Sequence, residues 1–369
     1  MHFVPITALL LVFFAIALRK ICRIPLAIWQ IVGLGALVVL CTHQLTFKQT
    51  IHAIDFEVLL YLLGMFIIAR TLEISGYLES LSLKLLRHIK HGQHLLATII
   101  FCFGLGSALL MNDTVAIIGA QIVLILTERH HDLRTPLLLG LAFSVTIGST
   151  LSPIGNPQNL FIALNSNMSH PISTFFYHLV IPTLLNLGIL YAVLHFRYKK
   201  QLSCSIHIPQ PAQSHGPKLA LWPKIAFILR TIDWPTLMFF LASFILIGAV
   251  WQTGVFQNSM HHFHAPLDSL WMILIISVLL SQIISNVPLV ILYLPLLHHL
   301  HAGTMPFLAL AVGSTMAGNV LYTGAASNII IIQNVEKRKK TAFGFLEFAT
   351  LGVPLTLLNL AVYWLFLKL

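Results

Sequence analysis

One helix-breaking pattern occurs twice in this chain, each time inside long apolar stretches. The first copy runs Met111-Asn112-Asp113-Thr114, then Gly148-Ser149-Thr150, then Gly155-Asn156-Pro157-Gln158-Asn159. The second runs Ser285-Asn286-Val287-Pro288, then Gly313-Ser314-Thr315, then Gly324-Ala325-Ala326-Ser327-Asn328. Asn112 and Asn286 are 174 positions apart, Gly155 and Gly324 169 apart. Gly, Pro, Asn, Ser and Thr interrupt helices and expose backbone polar groups. In lipid such an interruption is tolerated only where it lines a protein-enclosed cavity. Paired interruptions at corresponding places in two halves point to the binding site of a transporter.

The surroundings make the lipid setting firm. Of 369 residues, 57% are hydrophobic and 9% charged, against about 25% charged in an ordinary soluble domain. Apolar runs of about 20 residues recur along the whole length, enough to cross a bilayer as helices. The alternating segments of about 10 residues that build a membrane β-barrel do not occur. The chain reads as an all-α polytopic protein of the inner or plasma membrane. Its net charge of +10 implies no nucleic acid, because the basic residues sit in short loops between apolar spans. The run Val4 to Leu18 has no basic residue before it and reads as a first membrane helix, not a cleaved signal. The four cysteines show no metal-binding spacing, and the 19 histidines read as loop residues. Nucleotide-binding, metalloprotease and serine-hydrolase motifs are missing.

Residues 1–50 hold two leading spans, at about 4–18 and 24–45. Residues 51–196 form a first repeat: a span at 56–70, two short arms at 95–111 and 114–126 joined at Asn112-Asp113, a span over 137–163 interrupted at 148–159, and a span at 174–196. Residues 197–233 are a polar linker with six Lys/Arg. Residues 234–369 repeat the order: a span at 235–250, arms at 269–284 and 287–297, an interrupted span at 306–332, and a last span at 345–367. If each pair of arms dips in and returns on one side, each half crosses three times and the halves are oppositely oriented. With the linker cytoplasmic, 19 of the 21 Lys/Arg then fall inside, as the positive-inside rule expects. The expected fold is therefore two inverted-topology repeats, each with a re-entrant helical hairpin and an unwound transmembrane helix.

An interrupted helix frees carbonyls at the end of its first half and N–H groups at the start of its second. The former suit Na⁺ and the latter an anion. Ser149, Thr150, Gly155, Asn156 and Asn159 are the candidates in the first interruption. Ser314, Thr315, Gly324, Ser327 and Asn328 are those in the second. Asn112, Asp113 and Thr114 mark the first tip, Ser285 and Asn286 the second. Na⁺ is expected near Asn112, Asp113 and Asn156, and near Asn286 and Asn328. Asp113 is the one acid placed deep in the membrane, and a buried carboxylate there is a functional candidate by default. Its alternative role is the N-cap of the second arm. With no intramembrane partner for acid–base work, the chain is not expected to be an enzyme.

The runs Met111-Asn112-Asp113-Thr114-Val115-Ala116, Ser152-Pro153-Ile154-Gly155-Asn156-Pro157-Gln158-Asn159 and Ile284-Ser285-Asn286-Val287-Pro288 resemble the ion transporter superfamily. That group includes arsenite permeases, sodium/proton antiporters, citrate transporters and divalent anion/sodium symporters. The resemblance covers about residues 50–369. It implies a substrate site between hairpin tips and unwound helices, an elevator-like movement of that unit, and often a homodimer. The first tip reads Asn-Asp-Thr and the second Ser-Asn-Val-Pro, where the dicarboxylate symporters carry Ser-Asn-Thr at both. The expected function is secondary transport of a small inorganic or organic anion, coupled to Na⁺ or H⁺, with no other cofactor. The alternatives are a Na⁺/H⁺ antiporter working through Asp113, or a passive channel.

Overall fold

A computed structural model shows a chain of α-helices linked by short turns. It describes residues 3–21, 26–76, 80, 89–128, 130–205, 227–255, 268–284, 286–338, 340 and 342–369. No strand occurs among them. Most of the basic linker and Ser285 of the second tip lie outside the described residues.

The first part runs α1 (Phe3–Ile21), α2 (Ile28–Cys41), α3 (Phe47–Ala53), α4 (Phe56–Ser75), α5 (Gly92–Ser107), α6 (Asn112–Leu126), α7 (Arg134–Ser149), α8 (Pro157–Asn165) and α9 (Pro171–Arg197). The second runs α10 (Trp234–Gln252), α11 (Leu270–Ile284), α12 (Asn286–His299), α13 (Thr304–Met316), α14 (Ala326–Lys337) and α15 (Phe345–Lys368). Among the described residues, α9, α10 and α15 are long and apolar enough to cross a membrane, and the bent pair α3–α4 makes a fourth. The apolar helices α5, α6, α11 and α12 are shorter. Large side chains such as Leu10, Phe14, Tyr177 and Leu357 point outward uncovered, as they do where lipid is the solvent.

Two details differ from the sequence reading. The first turn lies at 108–111, so Asn112 and Asp113 are the opening residues of α6 and not the link between the arms. The end of α5 is rich in glycine and slips into three-residue hydrogen bonds, with Ala108 N–H on the Leu105 carbonyl at 3.2 Å. Ser107 then fixes that end by donating to the Val145 carbonyl of α7 at 2.8 Å. The second difference is α3, which the reading passed over. Thr46 and Gln49 cap it reciprocally, a Thr-x-x-Gln capping box visible in the sequence.

Each hairpin packs on the helix that follows it. In the first half a Cβ at Gly148 of α7 would overlap the Gly104 carbonyl of α5. In the second, Gly313 of α13 lies against Ser277 and Leu274 of α11. The two final helices pair with each other. Thr183 of α9 meets Tyr363 of α15 at 2.9 Å, and Asn186 meets the Asn359 carbonyl at 3.4 Å. Position rises along α9 as it falls along α15, so these two helices run antiparallel.

Candidate functional site

The first interruption begins where α7 stops at Ser149. A 3-10 turn, Pro153–Gly155, follows, and its first N–H is held by Ser152, whose Oγ accepts from Ile154 at 3.1 Å. Asn156 then caps α8. Its Oδ1 accepts the Asn159 N–H at 2.9 Å, with Pro157 in the first helical position. Asn159 closes the gap between the half-helices. Its amide donates to the Ser149 carbonyl at 3.1 Å and the Ser152 carbonyl at 3.3 Å. Gly155 folds so tightly over Ser149 that a Cβ would overlap its backbone. Gly155→Ala is expected to lower stability by about 3 kcal/mol, the upper end for overpacking, because a backbone contact cannot move aside. Thermal denaturation of the purified variant measures this.

The second interruption begins after α13, with 3-10 turns at Ala317–Asn319 and Tyr322–Gly324. Gln282 of α11 donates to the Ala317 carbonyl at 2.8 Å, and Asn328 donates to the Gly318 carbonyl at 2.9 Å. Gln282 was not singled out in the sequence; its place three residues before the second tip was the available signal. Asn319 reaches across to the Phe143 carbonyl of α7 at 3.4 Å. The two interruptions also bond directly. Thr315 donates to Asn159 Oδ1 at 3.1 Å and accepts from Asn156 Nδ2 at 3.1 Å.

Between the interruptions and the tips lies a cavity of about 500 Å³. Asn112 and Asp113, Pro157 and Gln158, Asn286 and Val287, and Ala325 and Ala326 line it. These are the opening residues of α6, α8, α12 and α14. The N-termini of these four helices therefore face one space, which the first residues of α2 (Ile28, Trp29) and α10 (Pro235, Thr236) also line. Each N-terminus carries about +0.5 elementary charge, so the four at the tips and interruptions alone bring about +2 against the single negative charge of Asp113. Asp113 is the one ionisable side chain among the described lining residues. Three acceptor oxygens at the tips have no hydrogen-bond partner: Asn112 Oδ1, Asp113 Oδ1 and Asn286 Oδ1. Trp29 of α2 and Phe239 and Phe240 of α10 give the cavity an aromatic wall. Gln158 and Gln333 add neutral amides.

Of the residues expected at the site, Asn112, Asp113, Asn286 and Gly324 line this cavity. Ser149, Thr150, Asn156, Asn159, Ser314, Thr315, Ser327 and Asn328 are fully or almost fully buried around the interruptions, behind it. Gly155 is buried there too, and Thr114 lies one step along α6 from Asp113. Ser314 is turned back onto its own helix, bonding the Ala311 carbonyl. Ser327 Oγ and Asn328 Oδ1 have no partner. The aromatic wall was missed by the sequence reading, since Trp29 and Phe239 sit in uniformly apolar helices where nothing marks one face.

A second cavity, of about 640 Å³, lies at the other end of α10. Its lining includes His52, Asp55, Glu57, Asn165, Trp251 and Gln252. Asp55 accepts from Asn165 at 2.8 Å. Phe161 and Phe244 line this second cavity and Phe240 the first. The Phe161 and Phe244 ring centroids are 5.5 Å apart, those of Phe240 and Phe244 6.1 Å. A row of tilted aromatic rings thus runs from the lining of one cavity to that of the other.

The citrate transporter family profile matches residues 11–311. A 46 kDa membrane protein of Mycobacterium leprae is 26% identical over 85% of this chain and 86% of its own. The inner membrane protein YbiR of Escherichia coli is 24% identical over 78% of this chain and 82% of its own. A silicon efflux transporter of rice, Oryza sativa subsp. japonica, is 32% identical over 46% of this chain and 34% of its own.

Proposed function

This chain belongs to the citrate transporter family and is a multi-pass membrane transporter; we propose that it is a secondary active carrier of a small anion together with Na⁺ or H⁺. One observation carries the reading: four helix N-termini and one carboxylate share a cavity of about 500 Å³. The N-termini supply a positive field without a Lys or Arg that would have to be desolvated. The carboxylate and the unpaired oxygens of Asn112 and Asn286 accept the coupling cation. Anion and cation then neutralise one another inside the site, which lowers the cost of carrying either through lipid.

The two parts are inverted repeats in this reading, supported by the antiparallel pairing of α9 with α15 and by the matched packing of each hairpin on its broken helix. The cavity approaches the basic ends of two helices: Pro235 follows Arg230, and Gln333 precedes Lys337. With those ends cytoplasmic, the described conformation faces inward in this reading, and the second cavity is the outer approach. An elevator-like shift of the hairpins and broken helices against α2 and α10 would exchange the two.

The aromatic row is then the barrier that separates a carrier from a channel. Phe161→Ala with Phe244→Ala is expected to expose the site from outside. A cysteine at position 286, in an otherwise cysteine-free chain, should react with an impermeant thiol reagent about tenfold faster or more, as a barrier lowered by about 1.4 kcal/mol implies. An unchanged rate would remove these rings from the pathway.

Function is tested in proteoliposomes. Phosphate, sulfate, arsenite, silicate and di- and tricarboxylates are offered with an inward Na⁺ or H⁺ gradient and without one. Gradient-driven accumulation of one of them supports the proposal. Downhill flux alone would make the chain a channel. Na⁺-driven H⁺ movement with no anion would make it an antiporter working through Asp113.

A further inference from the structure

A second polar site lies behind the interruptions, between the last helices of the two parts. The string Thr183-Leu184-Leu185-Asn186-Leu187 of α9 recurs as Thr356-Leu357-Leu358-Asn359-Leu360 of α15, 173 positions later. In both copies the two middle leucines are exposed and the Thr and Asn are buried. The amphipathic pattern of a soluble helix is inverted: apolar side out, polar side in. A few polar groups inside such a helix are costly and need a reason.

Those groups are not fully satisfied. Asn186 Oδ1, Asn359 Oδ1 and Thr356 Oγ1 are buried with no hydrogen-bond partner, in residues at most 1% exposed. Beside them runs a directed chain of hydroxyls. Thr150 donates to the Ile147 carbonyl at 2.5 Å, so its bond to Tyr363 at 2.6 Å must be donated by Tyr363. Thr183 in turn donates to Tyr363 at 2.9 Å. The protons of these three hydroxyls are committed to one another and to the Ile147 carbonyl, so none of them reaches the three unpaired oxygens.

The same seam meets the C-terminal ends of both broken helices. Thr150 caps α7, and Asn359 approaches Met316, the last residue of α13, at 4.0 Å. Each helix C-terminus carries about −0.5 elementary charge. Two such ends and three unpaired neutral oxygens form an electronegative environment with no acid in it. We propose that the α9–α15 seam is a second cation site, distinct from Asp113, that takes a dehydrated monovalent cation of sodium size on neutral oxygens. The arrangement separates charge along each broken helix: the N-terminal ends of α8 and α14 face the cavity, while the C-terminal ends of α7 and α13 face the seam.

The test reads ion binding and not transport, so its outcome is independent of the proposed function. Purified full-length protein carrying Asp113→Asn, which removes the carboxylate of the cavity, is melted over a Na⁺ series. Choline replaces Na⁺ at constant ionic strength. The melting temperature is expected to rise with Na⁺, as it does for any ligand that binds only the folded state. Adding Thr356→Val and Asn359→Leu is expected to abolish that rise. Thr356→Val alone, which keeps the side-chain shape, should shift half-saturation to about tenfold higher Na⁺ for the loss of one ion contact of about 1.4 kcal/mol. It serves where the paired change does not fold. A seam holding only water predicts the opposite: removing unpaired acceptors leaves stability equal or higher, with the Na⁺ response unchanged. That result, or a parent protein indifferent to Na⁺, would overturn the proposal.

Discussion

Asp113→Asn is expected to abolish cation-driven uptake while the protein still folds. The two effects separate because they have different origins. As the second residue of α6, Asp113 gains about 0.3–1 kcal/mol from the helix N-terminus, and asparagine forfeits little more than that. Its electrostatic role in the cavity is larger. A unit charge about 5 Å from a bound cation contributes about 3 kcal/mol at an effective dielectric near 20. Losing it weakens cation binding by about a hundredfold. The measurement is uptake into proteoliposomes against imposed Na⁺ and pH gradients, beside a melting curve of the same preparation. Wild-type rates with unchanged Na⁺ and pH dependence would exclude Asp113 from coupling.

Asn159→Leu is expected to be the most damaging single change at the interruptions. The Asn159 side chain donates to the Ser149 and Ser152 carbonyls and accepts from Thr315. It is fully buried, so leucine would strand the Ser149 carbonyl and the Thr315 hydroxyl away from water, while the Ser152 carbonyl keeps the Gly155 N–H at 3.2 Å. A stranded buried group costs about 1–3 kcal/mol, which puts the total for the two at about 2–6 kcal/mol. Thr315→Val removes the inter-part bonds while the two carbonyls keep their donor. Double-mutant cycles between membrane helices average about 0.6 kcal/mol per bond and reach about 1.7, so Thr315→Val should cost about 1–2 kcal/mol. Chemical denaturation of both variants and of the pair tests this ordering. Equal losses from the two substitutions would contradict the assignment of Asn159 as the closure of the first interruption.

Much of the architecture was legible because its signals are local. Apolar runs and the polar strings between them placed most of the described helices to within a few residues. The interruptions at 148–159 and 313–328 were visible because Gly, Pro and Asn act on their own backbone. Asn156 reads as a cap from its spacing to Asn159 alone, and the structure shows that bond. The first turn was misplaced by a few residues because glycines ended α5 early, and the reading gave the break to the polar pair that follows. The role of Gln282 was hidden, since a glutamine in an apolar arm carries no mark of which carbonyl it will meet.

The amino-acid sequence alone thus determined that this is an all-helical membrane chain, broken twice in matching places, with one acid at a tip. Tertiary structure decided what those breaks face. Only packing turns four helix N-termini toward one cavity, brings Trp29 and Phe239 into its wall, and hides Asn156 and Asn159 in bonds to Thr315. It also joins Asn186 to Asn359 and leaves their oxygens without donors. The physical reason is range. A helix break is written in the few residues that make it, whereas the direction of its dipole relative to another helix depends on contacts between residues more than a hundred positions apart.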